Sequence, residues 1–256
     1  MTYTKETLSL FFIIGILLML GMLFVPFPAI VLEILFGIEF AVCIMLLVYS
    51  FTQHPKMMAK AVLHFTLYSL ALNISFTRLS LSEIINDEQV SMASFISDFV
   101  IQRNYILGIF MILFLIVALL AVEYKGVIRI SEISARFALD SMNQKIFDID
   151  TRLAKNELSQ DKAENLKMEV RNELNFYSSI DGVAKFAFGN AKATVFFTTI
   201  NLLGAYLIER FILKKIYLEA IEAIVTYTIG NVIIFVIPQI IVAVAMEISL
   251  TAKSER

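Results

Sequence analysis

Long apolar runs separated by short polar breaks, and one wide charged stretch, set the pattern of this chain. A helix that crosses a bilayer needs about 20 consecutive apolar residues. Runs near 8–25, 29–51, 58–77, 101–122, 193–209 and 222–250 meet or approach that length, so the pattern predicts about six transmembrane helices. The first, Leu8 to Val25, carries no charge at all. Pro26-Phe27-Pro28 then forces a turn, because neither proline donates within a helix and each restricts the residue before it. The last run is long for one span, so it is expected to tilt or to begin outside the hydrocarbon. No cleaved leader is expected: the first apolar stretch is too long, lacks a small-residue cleavage site and is followed at once by another span.

Between the fourth and fifth runs the period changes to that of half-buried helices. A helix is expected to leave the membrane from Glu123 to about Lys145. On it Arg129, Arg136 and Asp140 stand at i, i+7 and i+11, close to one face. Arg136 and Asp140 are spaced to pair, although a solvated stripe with surface pairs of about 0.3–0.5 kcal/mol gives the same pattern. A second helix is expected over 160–179, with Ala163, Leu166, Val170, Leu174 and Tyr177 on its apolar face. Asp181-Gly182 offers it a stop. The pair would make a small helical insert under the membrane, too small for a core of its own and so leaning on neighbouring subunits or partners. The expected organisation is residues 1–122 with four spans, 123–192 as the insert, and 193–256 with two more spans and a short tail.

Composition agrees with an all-α integral membrane protein. The chain is 59% hydrophobic with mean hydropathy +0.79. Residues 123–192 hold eleven Lys/Arg and eleven Asp/Glu, half of the 21 plus 23 charged residues in the whole sequence. Orientation follows from the short loops. Lys56 and Lys60 place one loop inside, and 80–99, with Glu83, Asp87, Glu88 and Asp98 but no Lys or Arg, lies outside. The charged insert and both termini are then cytoplasmic; Arg210, Lys214 and Lys215 oppose this majority. A net charge of −2 gives no reason to expect nucleic acid as a partner, and the lone Cys43 excludes a disulfide framework.

Candidate chemistry is sparse. The chain has no phosphate-binding Gly-rich loop, no nucleophile elbow and no Cys–His pairing for acyl transfer. His54 and His64 lack the acid or Cys cluster a metal site needs, so no catalysis, metal or cofactor is expected. Ionisable residues inside apolar runs are costly and therefore informative: Glu33, Glu39, Arg78, Glu222 and Glu247. Glu39 is the deepest, and either bonds helices together or belongs to an ion pathway. Arg78, Glu222 and Glu247 lie near span ends, where snorkelling explains them as well.

Several short stretches, in order, resemble the FHIPEP family of flagellar and virulence type III secretion export-gate proteins. Ala135-Arg136-Phe137-Ala138-Leu139-Asp140, followed by Asp148-Ile149-Asp150, is similar to the family signature. Pro26-Phe27-Pro28 resembles the opening of its second span, and Leu70-Ala71-Leu72-Asn73 precedes Thr77-Arg78-Leu79 as the family has it. Asn175-Phe176-Tyr177 before Asp181-Gly182-Val183-Ala184-Lys185-Phe186 also agrees, as does Thr226-Tyr227-Thr228-Ile229-Gly230 with Ile237-Pro238 in the sixth span.

The resemblance implies a homo-oligomeric ring, commonly nonameric, in the bacterial inner membrane, passing unfolded proteins outward with the proton motive force. It implies coupling roles for Arg129, Arg136, Asp140, Asp181 and Lys185. Its implied partners are further copies of itself, other export-apparatus membrane proteins, a full-length paralogue and membrane lipid. Departures accompany it. Asn190 and Asn231 stand where the family has Asp, Asn143-Gln144-Lys145-Ile146-Phe147 replaces Pro-Gly-Lys-Gln-Met, and Ser69 replaces an expected Arg. An asparagine keeps the shape of the carboxylate but does not ionise. The chain as given also stops at Arg256, before the two further spans and large cytoplasmic domain of the family, as expected of either an engineered fragment or a naturally short, divergent paralogue, and the paired Asp-to-Asn differences favour the paralogue. Two alternatives stand beside a working export gate: a structural ring component without proton coupling, and an ion-conducting protein in which Glu39 and the loop charges form a pathway, with Arg78, Asn190 and Asn231 as further candidates for an ion pathway or for intramembrane polar contacts.

Overall fold

The computed structural model describes residues 15, 17, 19–51, 57–86, 91–102 and 104–254, and among them every regular element is helical. Residues 15, 17 and 19–24 form the described part of α1; much of the expected first span, and Lys56 of the loop used for orientation, lie outside the described residues. The chain leaves the helical state at 25–28, at the two prolines, and re-enters it as α2, Ala29–Ser50. Then follow α3, Met58–Asn86, the short α4, Met92–Ile101, and α5, Tyr105–Ala121. A π-helical segment, Val122–Ile128, joins α5 without a break to α6, Arg129–Ala154. The long α7, Gln160–Leu207, runs into a second π segment, Ile208–Ile212, and α8, Tyr217–Ser254, completes the fold.

Among the described residues, four helices are long and apolar enough to cross a membrane: Ala29–Ser50, the apolar part of Tyr105–Ala154, that of Gln160–Ile212, and Glu219–Thr251. α3 has the length but is not among them, because Thr66, Ser69, Asn73, Ser75, Thr77 and Ser80 lower its hydropathy and are buried inside the bundle. α8 is the central helix: 72% of its apolar window is buried, against 17–28% for the other three. Phe76 and Phe235 pack edge to face where α3 meets α8, with ring centroids 5.6 Å apart.

Two sequence expectations need correction. The region 80–99 is not a simple loop: α3 continues to Asn86, and α4 packs its backbone against α8. Nor does Asp181-Gly182 end a helix. α7 passes through both residues, and Gly182 is not in the left-handed region. A stop at glycine needs a chain with reason to turn, and here Tyr177, Ile180, Ala184, Ala187 and Ala191 keep one face of α7 continuously buried.

The charged insert is therefore a helical hairpin continuous with two spans. Asn156, with φ 61°, takes the left-handed conformation in the turn after α6, which asparagine tolerates well. Cross-strut ion pairs set the antiparallel register: Lys145 with Glu173 at 2.9 Å, and Lys167 with Asp150 at 2.5 Å. Exposed pairs of this kind contribute about 0.2–1 kcal/mol each, so the apolar seam of Ile130, Ala135, Ala138, Phe176, Ile180 and Val183 carries most of the hairpin's stability.

Candidate functional site

Near the membrane end of the hairpin, α6 and α7 are joined by one carboxylate. Asp181 on α7 is half-buried; its Oδ1 accepts from Ser131 Oγ on α6 at 3.4 Å, and its Oδ2 accepts from Lys185 Nζ at 2.8 Å. Asp181 and Lys185 are one turn apart on the same helix, the spacing at which such side chains meet. The hydrogen bond and charge of Asp181 hold the Lys185 ammonium above its ordinary range, with Glu132 adding to the effect. Ser131 carried no sequence signal beyond its place two residues after Arg129.

The other expected residues of this cluster stand apart. Arg129, Arg136 and Asp140 lie on α6 and are exposed. No ion pair joins Arg136 to Asp140 despite their spacing, and Phe137 and Ile133 beside them are exposed as well. The stripe is thus an open face carrying cations, an acid and apolar groups.

Where the hairpin enters the bundle, Glu123 is buried in the π segment, and its Oε2 has no hydrogen-bond partner. Burial pushes its carboxyl from an ordinary value near 4.5 up to about 8. π segments recur at functional positions in helices because the extra residue re-aims the side chains around it. The second π segment holds Glu209, fully buried and paired with Lys215 at 3.1 Å.

A second cluster lies within the bundle. Thr194 Oγ1 on α7 accepts from Asn73 Nδ2 on α3 at 3.1 Å and from Gln239 Nε2 on α8 at 2.7 Å. Asn190, one turn away on α7, is buried with neither amide atom partnered. Asn231 donates to Ser80 Oγ at 2.6 Å, leaving its Oδ1 unpartnered. Glu39 is fully buried beside Ser69, and neither its carboxyl oxygens nor the serine hydroxyl has a partner in hydrogen-bond geometry. Arg78 is directed elsewhere, donating to the Val25 carbonyl at the end of α1. Sequence reasoning singled out Glu39, Asn190 and Asn231 and quoted Asn73 only as part of a family-like stretch, but missed Thr194 and Gln239, which are unremarkable until the fold brings them together with Asn73.

The model of the FHIPEP family matches residues 19–256. The chain is 34% identical over 245 residues to the flagellar biosynthesis protein FlhA of Escherichia coli, covering 93% of this chain and 35% of that protein. With the FlhA of Bacillus subtilis it shares 30% over 255 residues, covering 98% and 37%, and with that of Borreliella burgdorferi 28% over 250 residues, covering 93% and 35%. The chain thus spans about a third of the length of the curated relatives it matches. No solved structure matches it. The chain belongs to the FHIPEP family.

Proposed function

We propose that, within this family, the chain serves as a membrane subunit of the export gate of a bacterial flagellar or type III secretion apparatus. In this reading it crosses the inner membrane several times, assembles as a ring of like copies, and couples ion movement to the outward passage of unfolded proteins. Family membership over nearly the whole chain supports the apparatus. The observation that carries the coupling role is the Asp181 link between Ser131 and Lys185. Both hairpin helices continue into apolar helices, so a proton or cation that changed the charge at Asp181 would alter the angle between two rods rooted in the membrane. The open face of Arg129, Ile133, Arg136, Phe137 and Asp140 suits contact with a neighbouring copy or another membrane component of the apparatus.

The test is secretion of an export substrate in cells whose copy of this gene carries Asp181→Ala, with membrane levels followed in parallel. Secretion should be lost while the protein still reaches the membrane. Unchanged secretion would remove the coupling role. One observation favours a structural subunit instead: at two positions the bundle carries neutral Asn190 and Asn231, the second engaged with Ser80. In that case deletion of the gene stops assembly, but Asp181→Ala is tolerated.

A further inference from the structure

The two struts of the hairpin enter the bundle side by side, and their roots share a cluster of side chains. Tyr124 stands on the π segment directly after the apolar run of α5. Phe188 and Lys192 stand on α7, directly before the apolar run expected over 193–209. Across the two elements the Tyr124 and Phe188 rings lie 5.6 Å apart, tilted by 36°. Lys192, one turn beyond Phe188, holds its ammonium 4.3 Å from the centroid of that ring. Three side chains thus bridge two helices at the end of both apolar stretches.

The cluster is anchored on one side and open on the other. Phe188 packs against the core group that holds Leu119 of α5 and Ala191 of α7. Tyr124 and Lys192 are exposed. Lys192 extends along α7 away from the apolar run, as a lysine at a span end does, and its ammonium is held over the negative face of an anchored ring. Tyrosine, with an apolar body and a polar tip, suits the boundary between hydrocarbon and water.

This face is short of acid. Among the described residues neither Lys192 nor Lys125, beside Tyr124, forms an ion pair. Lys185, one turn before Phe188, is already paired with Asp181 and is influenced by Glu132. Glu123 is buried, and Glu247 of α8 lies against Gly126. Lys125 and Arg129 are exposed and add positive charge at the same root. Toward the membrane the surface turns apolar: Phe196, one turn past Lys192, is exposed, as are Phe114 and Val117 on α5.

We propose that Tyr124, Phe188 and Lys192 form a binding site for one anionic phospholipid. Its phosphate accepts from the Lys192 ammonium and the Tyr124 hydroxyl, and its acyl chains lie along Phe196, Val117 and Phe114. A basic and aromatic level beside an apolar one matches an anionic head joined to hydrocarbon tails, which a soluble phosphate lacks. Basic pockets between membrane-spanning helices hold lipid headgroups in this way. A lipid held here ties the roots of the two struts to each other and to the bilayer. The inference rests on both helices crossing the membrane and not on export, so it fails or survives apart from the coupling reading.

The experiment is native mass spectrometry of the purified full chain in detergent micelles, titrated with phosphatidylglycerol or with phosphatidylcholine of the same acyl chains. Retention of one phosphatidylglycerol per chain, at concentrations where phosphatidylcholine is lost, is expected. Lys192→Gln should weaken phosphatidylglycerol binding about fivefold or more, and Lys192→Arg, which keeps the charge, should preserve it. Lys162→Gln, at the far end of the hairpin, should leave binding unchanged. Lys192 is exposed, so its replacement does not disturb the core. Equal retention of the two lipids by the wild type, or an undiminished preference in Lys192→Gln, would overturn the site. A lipid-free dimer that Lys192→Gln dissociates would overturn it too, because an acidic segment of a second copy would then be the occupant.

Discussion

The carbonyl oxygen of Ala93 occupies the space that a side chain on Gly230 would need: an ideal Cβ there would lie 1.8 Å from it, and 3.0 Å from the Ala93 Cα. The obstacle is backbone, not the end of a flexible side chain, so α4 and α8 touch only because residue 230 is glycine. Gly230→Ala should force α4 off α8 and destabilise the bundle by about 1–3 kcal/mol or more. A melting temperature in detergent equal to wild type would contradict this packing.

The start of α4 is held by acids from two other helices. Glu33 Oε1 on α2 accepts from the Met92 N–H at 2.6 Å, and Glu83 Oε2 on α3 accepts from Ser91 Oγ at 2.9 Å. An acid satisfies a free N–H at a helix N-terminus and complements its dipole there. Glu33→Ala should lower stability by about 0.5–2 kcal/mol, as loss of a helix cap does, and speed hydrogen exchange at Met92 more than in α8. Uniform exchange across α4 and α8 would argue against a local cap.

Thr194 is the joint of the intramembrane polar cluster. Thr194→Val keeps the shape but strands the amide donors of Asn73 and Gln239, each buried. Each stranded donor costs about 1–3 kcal/mol. Thr194→Ser, which restores the acceptor, should recover most of the loss. Equal stability of the Val and Ser variants would show that the hydroxyl contributes nothing.

Glu123 predicts a pH dependence. Burial raises its carboxyl to about 8, so between its ordinary value near 4.5 and about 8 the folded chain holds a proton that the unfolded chain has released. Stability from this group is complete below the lower value and is lost as pH rises through the upper one. Glu123→Gln should therefore match wild type near about pH 4.5 and melt at a higher temperature near about pH 8. Melting curves across that range whose difference does not change with pH would refute the assignment.

Much of the architecture was legible in the chain. The apolar runs, the break at Pro26 and Pro28, and the helix beginning at Gln160 all follow from local chemistry: hydrocarbon length, missing amide donors and a repeating apolar face. Asp181 and Lys185 entered as coupling residues only through the family resemblance; their pairing was not legible, because Asp181-Gly182 was expected to end the helix that carries both. The role of Ser131 was not legible either, since it lies 50 residues from Asp181 and meets it only across the hairpin.

The sequence by itself determined the helical content, the placement of charge in one hairpin and the family. The tertiary structure decided that the hairpin helices continue into the bundle, that Asp181-Gly182 lies inside a helix, and that α4 packs on α8 at Gly230. It also decided which polar residues face one another: Asn73 and Thr194 are 121 residues apart, and Thr194 and Gln239 are 45 apart. The physical reason is range. Helix periodicity and proline chemistry act within a few residues, whereas satisfying a buried polar atom depends on which helices are neighbours, and only the packed bundle specifies that.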